Sequence, residues 1–477
     1  MMTFTLKSLG LLLGLLPAAA LAADETGMLD YLEREQARFA GIADAIWEQA
    51  ELGYLETESS GLLQETLAAE GFAIEAGVAG LPTAFVASYG SGEPVIGLLA
   101  EFDALPGISQ TAAPHREEDP DKHSAHACGH HLFGAGSTAA AIAVRHWMED
   151  NGIEGTLRLY GTPAEEGGSG KVYMVRAGLF ADVDAVLVWH PSDRNAANPA
   201  TTLANKSAKF RFRGISSHAA VAPERGRSAL DGVEAMNLMA NMMREHMPQE
   251  SRMHYVITSG GSAPNVVPDF AEVFYYLRHP QASELEQLWE RLVATAEGAA
   301  QGTGTEMDFE VIHGNHSVLP NETLAQAMYA NLNQVGGVEY DIEDLAYARE
   351  LAKSLQGNAD DLAAAAARIE PMELEQGMGS TDVGDVSWQV PTTELRAATW
   401  VPGTAPHTWQ AVAAGGTAIG SKGMMVAAKS MALTAADLFQ DPELVRAAQR
   451  EFLQRRGEDF EYRALLGDRE PPLDYRR

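Results

Sequence analysis

Short apolar runs that each end in polar or charged residues mark the first half of the chain. They are PVIGLLAEFDALPG (94–107), GTLRLYGTPAEEGG (155–168) and VDAVLVWHPSD (183–193). Continuous apolar runs of this length are typical of strands buried on both faces of a parallel sheet. Helical stretches at 132–150 and 171–180 would supply the crossover connections that parallel strands need. The pattern predicts an α/β domain with a mostly parallel central sheet.

The remaining stretches around this sheet have mostly helical patterning. Residues 26–70 predict two helices, and a further helix is expected at 321–335. An acidic, alanine-rich stretch follows at 341–369. The final residues, 455–477, are polar and are expected to lie at the periphery.

A different texture begins near residue 205, where apolar and polar residues alternate. The alternating segments are KSAKFRFRGISSHA, AEVFYYLRHP and EMDFEVIHG. Alternation of this kind predicts strands with one solvated face, and helical stretches near 226–246 and 283–300 lie between them. We therefore expect an inserted α+β domain at 205–317, interrupting a catalytic domain formed by 24–204 and 318–477.

Composition agrees with a folded chain and narrows its partners. The 477 residues are 46% hydrophobic and 21% charged, as in globular proteins, and the length suits two domains. Lys and Arg number 34 against 66 Asp and Glu, which gives a net charge of −32. Such acidity argues against nucleic acid or an anionic membrane as a partner.

The N-terminal residues predict export. Lys7 precedes an apolar run from Leu9 to Leu16, and Ala20 and Ala22 stand at a cleavage-like spacing. These features predict a signal peptide at 1–22 and a periplasmic or extracellular mature protein. The alternative, a membrane anchor, would need an apolar run of about 20 residues. No later segment is long and apolar enough to span a bilayer, so we expect no membrane span in the mature chain.

Ionisable residues collect where the predicted strands end. Because the carboxyl ends of parallel strands meet at one edge of a sheet, these residues should lie close together. The loop HSAHACGHH (123–131), with four histidines and the chain's only cysteine, would join them there. The residues at the strand ends are Glu101, Asp103, Glu165, Glu166 and His190.

This mixture of side chains predicts a metal centre. Thiolate, imidazole and carboxylate ligands together suit Zn, Mn or similar divalent ions. Four to five such ligands exceed what one catalytic ion with an open position needs, which favours two ions sharing a bridging ligand. The candidate ligands are Cys128, His130, Glu166, His190 and His407.

The adjacent glutamates suggest a division of labour. Consecutive side chains at a strand end point apart, so Glu166 can bind a metal while Glu165 faces a water held between the two cations. Such a water loses a proton near neutral pH, and Glu165 can pass that proton to a leaving amine. This is the chemistry of amide hydrolysis.

Simpler interpretations exist for several of these residues. Cys128 could be a small buried hydrophobe or a nucleophile activated by a nearby histidine. A pair of nearby glutamates has no role in a cysteine nucleophile mechanism, whereas it suits a metal centre. His218, taken alone, would be a capping or surface residue.

Seven motifs in order resemble the M20 metallopeptidase family, specifically its amidohydrolase branch. They are EFDALPG, HACGHH, PAEEGG, VLVWHP, GISSHAA, APNVVPD and STDVGDVSW, and the match runs from about residue 28 to 435. The pair HACGH and PAEEGG is highly specific. The resemblance implies a zinc-exopeptidase-like catalytic domain with an inserted dimerisation or lid domain.

The resemblance also implies roles for individual residues. It makes Cys128, His130, Glu166, His190 and His407 the metal ligands. Glu165 becomes the general acid and base, and Asp103 a carboxylate that orients a ligand. His218 would reach the partner subunit's site and stabilise an oxyanion. Asn265 and Arg278 fall where family members contact the carboxylate end of the substrate.

This chain departs from the branch at one motif. His131 stands where the branch commonly has Asp or Asn after CGH, and this extra imidazole could tune the site or replace a ligand. His407 is matched by its place after ATWVPG, since GTAPHTW is not itself a strong motif.

The expected activity is hydrolysis of the amide bond of N-acyl or N-aroyl amino acids, with p-aminobenzoyl-glutamate at the head of the substrates the resemblance implies. The cofactor would be two divalent ions, Zn or Mn, and the assembly a homodimer or a heteromer with a related subunit. A dipeptidase or aminoacylase on the same scaffold is the alternative among enzymes. From another class, a non-catalytic periplasmic binding protein is also exported and two-domained.

Overall fold

The computed structural model describes residues 25–356 and 361–476. The predicted signal peptide, 1–22, lies outside the described residues. The helices are α1 (Thr26–Arg34), α2 (Gln36–Gln49), α3 (Thr57–Ala69), α4 (His130–Asn151), α5 (Gly170–Arg176), α6 (Ala229–Met243), α7 (Ala282–Thr303), α8 (Glu322–Val335), α9 (Ile342–Ala352), α10 (Leu362–Ala367), α11 (Val383–Ser387), α12 (Trp409–Gly415), α13 (Ala418–Gln440) and α14 (Pro442–Arg456). The strands are β1 (Ala73–Ala76), β2 (Phe85–Ser91), β3 (Val95–Ala100), β4 (Leu105–Pro106), β5 (Ser124–Ala125), β6 (Gly155–Gly161), β7 (Ala185–Ser192), β8 (Ala200–Thr201), β9 (Ala204–Arg213), β10 (Arg252–Ser259), β11 (Phe270–His279), β12 (Glu306–Asn315), β13 (Glu375–Gln376) and β14 (Thr392–Ala398).

The larger sheet has the strand order β1-β2-β6-β3-β7-β14 within the described residues. The strands β6, β3, β7 and β14 pair in parallel, whereas β1 and β2 are antiparallel to their neighbours. The three strands predicted from apolar runs are β3, β6 and β7. The expected α/β fold with a mostly parallel central sheet is confirmed.

Helices cover this sheet and complete its core. α4 is apolar around most of its circumference because it lies between the sheet and the helices α1, α2 and α13. The predicted helical region 26–70 contains three helices instead of two. Glu35 separates α1 from α2, and a backbone break of one residue leaves no trace in the hydrophobic pattern.

The second sheet has the order β10-β11-β9-β12, and its paired strands are antiparallel. α6 and α7 pack on it and share a hydrophobic core with residues such as Phe210, Tyr275 and Leu292. These elements run from Ala204 to Asn315, so they fall almost entirely within the range predicted for the inserted domain. β10 was not expected from the sequence.

The C-terminal segment, which we define as residues 458–476, is not peripheral, and the sequence expectation for it is wrong. Leu465 and Leu466 are 4% and 3% exposed. Leu465 belongs to the hydrophobic core of the second sheet and Leu466 to the core of the larger one. The segment therefore ties the two parts of the molecule together, which its polar composition conceals.

Across the described ranges, none of the helices combines the length and apolar character that crossing a bilayer requires.

Candidate metal centre

Four neighbouring parallel strands direct the candidate residues to one edge of the larger sheet. Glu101 and Asp103 follow the end of β3, and the glutamate pair follows the end of β6. His190 lies within the last turn of β7, and the loop to His407 leaves the end of β14. Because β6, β3, β7 and β14 are adjacent, residues far apart in sequence converge here.

The CGH motif approaches this edge through a tight backbone contact. Gly129 has φ +77°, and a Cβ at this position would lie 2.6 Å from the Cβ of Pro191. Glycine adopts this left-handed conformation without strain, and its missing side chain leaves room for Pro191. Cys128 and His130, on either side of Gly129, are therefore held against the end of β7.

Backbone carbonyl groups fix which nitrogen of each histidine is free. His130 donates from Nδ1 to the backbone oxygen of Asp103 and to its Oδ1, both at 3.0 Å. His190 donates from Nδ1 to the backbone oxygen of Pro191 at 2.8 Å. A carbonyl oxygen can only accept, so Nδ1 carries the proton and Nε2 is left for another ligand.

Two groups of potential ligand atoms share the cysteine. One group is Cys128, His130 and His190, and the other is Cys128, Glu166 and His407. Within each group the candidate atoms lie within 4.8 Å of one another. Direct contacts include Cys128 Sγ to His190 Nε2 at 3.6 Å and Glu166 Oε1 to His407 Nε2 at 3.1 Å. This geometry suits two cations with the thiolate between them.

Buried polar atoms without partners support this assignment. Within the described residues, His130 Nε2, Glu166 Oε1 and Glu101 Oε2 are buried and accept or donate no hydrogen bond. Unpartnered buried polar atoms are costly, and a bound cation is one way of satisfying them. The residues present therefore fit divalent metal ions.

The charge environment separates the roles of the cysteine and the first glutamate. Burial and the nearby Glu166 carboxylate raise the pKa of the Cys128 thiol far above its ordinary value. Such a thiol is a poor nucleophile on its own, which argues against the cysteine-nucleophile alternative. Burial and the carboxylates of Glu101 and Glu166 raise the pKa of Glu165 well above its ordinary value. A raised pKa suits a carboxyl group that accepts and returns a proton.

The paired glutamates occupy a compact turn between β6 and α5, beyond the end of the strand itself. Ala164 and Ser169, on either side of the turn, have φ values of 57° and 60°. Glu166 joins Cys128 and His407, whereas Glu165 lies in a separate group with Glu101 and His130. The two carboxylates thus face different neighbours, in the sense predicted from the sequence.

His407 lies at the open side of this cluster. Its side chain is 54% exposed, against 11% for Glu166. Its backbone φ is 61°, an uncommon value for a residue other than glycine, and its backbone N–H donates to the carbonyl of Ala127 at 2.9 Å. This bond joins the His407 loop to the CGH loop.

The other predicted residues lie on the second sheet and its loops. His218 and Asn265 are exposed neighbours, joined by a hydrogen bond from Ala219 N–H to the backbone oxygen of Asn265 at 3.0 Å. No contact among the described residues brings either of them to the cluster. Arg278 is half-buried on β11, and its guanidinium lies 5.6 Å from the ring of Tyr276.

His131 turns away from the cluster. Its Nε2 donates to the backbone oxygen of Gly415 at 3.1 Å, and neither group of ligand atoms contains it. Burial lowers its pKa to about 3, so the ring is neutral and acts as a hydrogen-bond donor in the core. The idea that His131 replaces a ligand finds no support in this geometry.

Sequence reasoning missed a buried charge network beside the cluster. Lys171 is fully buried, and its Nζ lies 2.6 Å from Glu101 Oε1 and 2.7 Å from Asp382 Oδ1. Asp382 also accepts from the backbone N–H of Lys171 at 2.9 Å. The motif STDVGDVSW contains Asp382, which was the available signal. A lysine in a short amphipathic helix gives no such signal, because lysines there usually face solvent.

Comparisons with known proteins agree with this geometry. The model of peptidase family M20/M25/M40 matches residues 97–410. One of the two related subunits named for the p-aminobenzoyl-glutamate hydrolase of Escherichia coli K12 is 41% identical over 452 residues, covering 89% of this chain and 94% of that protein. The Xaa-Arg dipeptidase of Mus musculus is 31% identical over 430 residues, covering 87% and 89%. A dinuclear metal-binding M20 peptidase from Bacillus subtilis shares the fold, with a TM-score of 0.56, 20% identity, and coverage of 86% and 99%.

Proposed function

Because this chain belongs to peptidase family M20/M25/M40 and is a metal-dependent hydrolase of amide bonds, we propose that it cleaves N-acyl or N-aroyl amino acids. The leading substrate class is p-aminobenzoyl-glutamate and similar conjugates, because a relative 41% identical is named for that hydrolysis. The observation that carries the proposal is that Cys128 belongs to both groups of ligand atoms.

The proposed ligands are Cys128, His130, Glu166, His190 and His407, which would hold two divalent ions, Zn or Mn. When bound, such ions polarise a carbonyl oxygen and lower the pKa of water. A fold shared with a dinuclear peptidase supports this number of ions. Asp103 fixes the ring of His130 through Nδ1 and accepts the backbone N–H of Glu166 at 3.0 Å, so it orients two ligands at once.

Glu165 is the proposed general base and acid. Its carboxylate takes a proton from the attacking water and delivers it to the amide nitrogen, which leaves as an amine. Its position outside the group formed by Cys128, Glu166 and His407 leaves it free for this transfer.

The inserted domain is proposed to complete the site. Arg278 would bind the carboxylate end of the substrate, because a guanidinium matches a carboxylate in charge and shape. The exposed positions of His218 and Asn265 support a role in the partner subunit's site, where His218 would stabilise the oxyanion. The partner would be a second copy or a related subunit, since the relative from E. coli is named as one subunit of its enzyme.

We also propose that the protein is exported to the periplasm or beyond. The support is the basic, apolar and small-residue pattern of residues 1–22. Fractionation of cells that produce the full chain, with N-terminal sequencing of the mature protein, tests this: retention in the cytoplasm with residues 1–22 intact would contradict it.

Two alternatives lead to different outcomes. A dipeptidase on the same scaffold is favoured by the 31% identity to a dipeptidase and would cleave unblocked dipeptides faster than aroyl conjugates. An aminoacylase would prefer short aliphatic acyl groups. A binding protein would hold these compounds without turnover.

A hydrolysis screen tests the proposal. Purified enzyme is supplied with Zn, Mn or Co and offered N-benzoyl-glutamate, p-aminobenzoyl-glutamate, N-acetyl amino acids and dipeptides. We expect metal-dependent release of the amino acid, fastest from the aroyl conjugates. Turnover of dipeptides alone, or of no compound with any metal, would overturn it.

A further inference from the structure

The last residues of the chain reach the metal centre. Arg476 Nη2 donates to the backbone oxygen of Glu166 at 2.5 Å, and the Tyr475 hydroxyl donates to the same oxygen at 3.3 Å. The ring of Tyr475 packs edge-on against Tyr54 at 5.7 Å. The C-terminal segment therefore ends at the peptide group of a proposed metal ligand.

The rest of the C-terminal segment is anchored well enough to hold this end in place. Tyr462 donates to Asp385 Oδ1 at 2.6 Å, and the backbone oxygen of Arg463 accepts from His316 Nε2 at 2.9 Å. Arg469 donates to the carbonyl of Ile312 on β12 at 3.0 Å. These contacts with both parts of the molecule pre-organise Arg476, so little freedom remains to be lost on binding.

The second sheet presents another guanidinium towards the same place. Tyr276 pairs with Ser207 across the sheet, and Ser207 pairs with His313 on its other side. His313 Nδ1 lies 2.5 Å from the hydroxyl of Ser169, in the turn that carries the paired glutamates. Arg278, two residues after Tyr276, faces the same way as Tyr276. This row of the sheet therefore opens onto the metal centre.

Neither guanidinium is neutralised within the part of the chain that the structure describes. Arg278 and Arg476 form no ion pair there, and the Nε of each is buried without a hydrogen-bond partner. The chain carries 66 acidic residues against 34 basic ones, so two unpaired arginines beside a catalytic centre are a notable arrangement. Half-buried guanidinium groups without counter-ions favour binding of an anion. Both also act on Tyr276: burial raises the pKa of its hydroxyl, and the charges of Arg278 and Arg476 oppose that rise.

We propose that Arg476 is a specificity-determining residue that binds the side-chain carboxylate of an acidic amino acid, while Arg278 binds the carboxylate at the substrate's end. The inference rests on the proposed function, and it narrows the substrate class to N-acyl or N-aroyl amino acids with two carboxylates. The C-terminal segment thus forms one wall of the substrate site.

The test compares N-benzoyl-glutamate with N-benzoyl-glutamine, which has the same shape and one carboxylate fewer. The variants are Arg476→Ala and Arg476→Gln, the latter keeping a donor for the backbone oxygen of Glu166. Arg463→Ala is the matched control, because that side chain belongs to the same segment and is 86% exposed. A charge-assisted hydrogen bond predicts a fall of about 10- to 100-fold in kcat/KM for the glutamate conjugate, mainly through KM. The glutamine conjugate should change less than about threefold, within the range of a lost neutral contact.

The outcomes separate this inference from the proposed function. If the wild type cleaves neither conjugate with any metal, the proposed function fails. If the wild type cleaves them but both Arg476 variants lose the two substrates equally, or lose neither, the inference about Arg476 fails. Calorimetric binding of N-benzoyl-glutamate to Glu165→Gln, with and without Arg476→Gln, must show the same loss of affinity.

Discussion

Asp103 and His130 form a buried pair in which Oδ1 of the carboxylate lies 3.0 Å from Nδ1 of the ring. Although burial opposes the charge, the hydrogen bond from His130 holds the pKa of Asp103 below its ordinary value. The charged carboxylate keeps the proton on Nδ1 and turns Nε2 towards the cluster. One residue that binds no metal therefore decides how a metal ligand is presented.

Replacing this carboxylate should weaken metal binding without removing a ligand. In Asp103→Asn the amide can offer a donor to Nδ1, which favours the wrong tautomer of His130. We expect metal affinity to fall about 10- to 100-fold, as for other residues that orient metal ligands. Titration of the chelator-stripped enzyme with Zn or Mn measures this. Asp182→Asn, which alters an exposed ion pair with Arg158, is the control; equal affinities in the two variants would contradict the assignment.

Glu165→Gln should separate catalysis from metal binding. The amide cannot take a proton, so kcat for N-benzoyl-glutamate should fall by at least about 10²- to 10⁴-fold. Metal content, measured by mass spectrometry, should match the wild type because Glu165 lies outside the proposed ligand set. Glu154→Gln, at an exposed position, should behave as the wild type. Retained turnover, or loss of metal together with turnover, would refute the role given to Glu165.

Lys171→Met should destabilise the protein strongly. The substitution leaves Glu101 and Asp382 buried without their counter-ion, and breaking such a pair costs about 3–5 kcal/mol in the free energy of unfolding. Lys429→Met is the matched control, since its partner Glu33 is 67% exposed and a surface pair contributes at most about 1 kcal/mol. Chemical denaturation of both variants measures the difference. Similar free energies for the two would mean that the buried network contributes little.

The stability of the protein should fall with pH partly through His131. Burial lowers the pKa of this ring to about 3 in the folded chain, whereas an unfolded histidine has a pKa of about 6.5. Below about pH 6.5 the unfolded state binds a proton that the folded state refuses, so stability is lost as pH falls towards 3. At pH 5 this loss is about 2 kcal/mol for one such histidine.

The variant His131→Gln should therefore lose less stability than the wild type between pH 7 and pH 5. Its amide keeps a donor for the backbone oxygen of Gly415. His123→Gln, in the same motif but exposed, should follow the wild-type profile. Denaturation curves at the two pH values give the comparison, and parallel losses in His131→Gln and the wild type would disprove the linkage.

The sequence was informative where burial leaves a strong pattern. The apolar runs that became β3, β6 and β7 had to be buried strands, and the rule for parallel strand ends then placed Glu101, Asp103 and His190 at one edge. β14, TTELRAA, is short and alternating, so its place beside β7 could not be read from hydrophobicity. That Cys128 is common to both groups of ligand atoms depends on long-range packing.

Two features were hidden because their residue types usually mean something else. A lysine on a short helix normally faces solvent, yet Lys171 is buried between two carboxylates. A polar chain end is normally peripheral, yet Leu465 and Leu466 anchor the C-terminal segment and Arg476 reaches the metal centre. In both cases the deciding contacts come from residues distant in sequence.

The central claim is that Cys128 lies between two metal ions. Anomalous scattering from crystals grown with Zn or Mn, recorded at the absorption edge of the metal, tests it most directly. The account predicts two peaks per chain about 3.5–4 Å apart, one beside His130 and His190 and the other beside Glu166 and His407, with the Cys128 sulfur between them. A single peak, or peaks remote from Cys128, would contradict it.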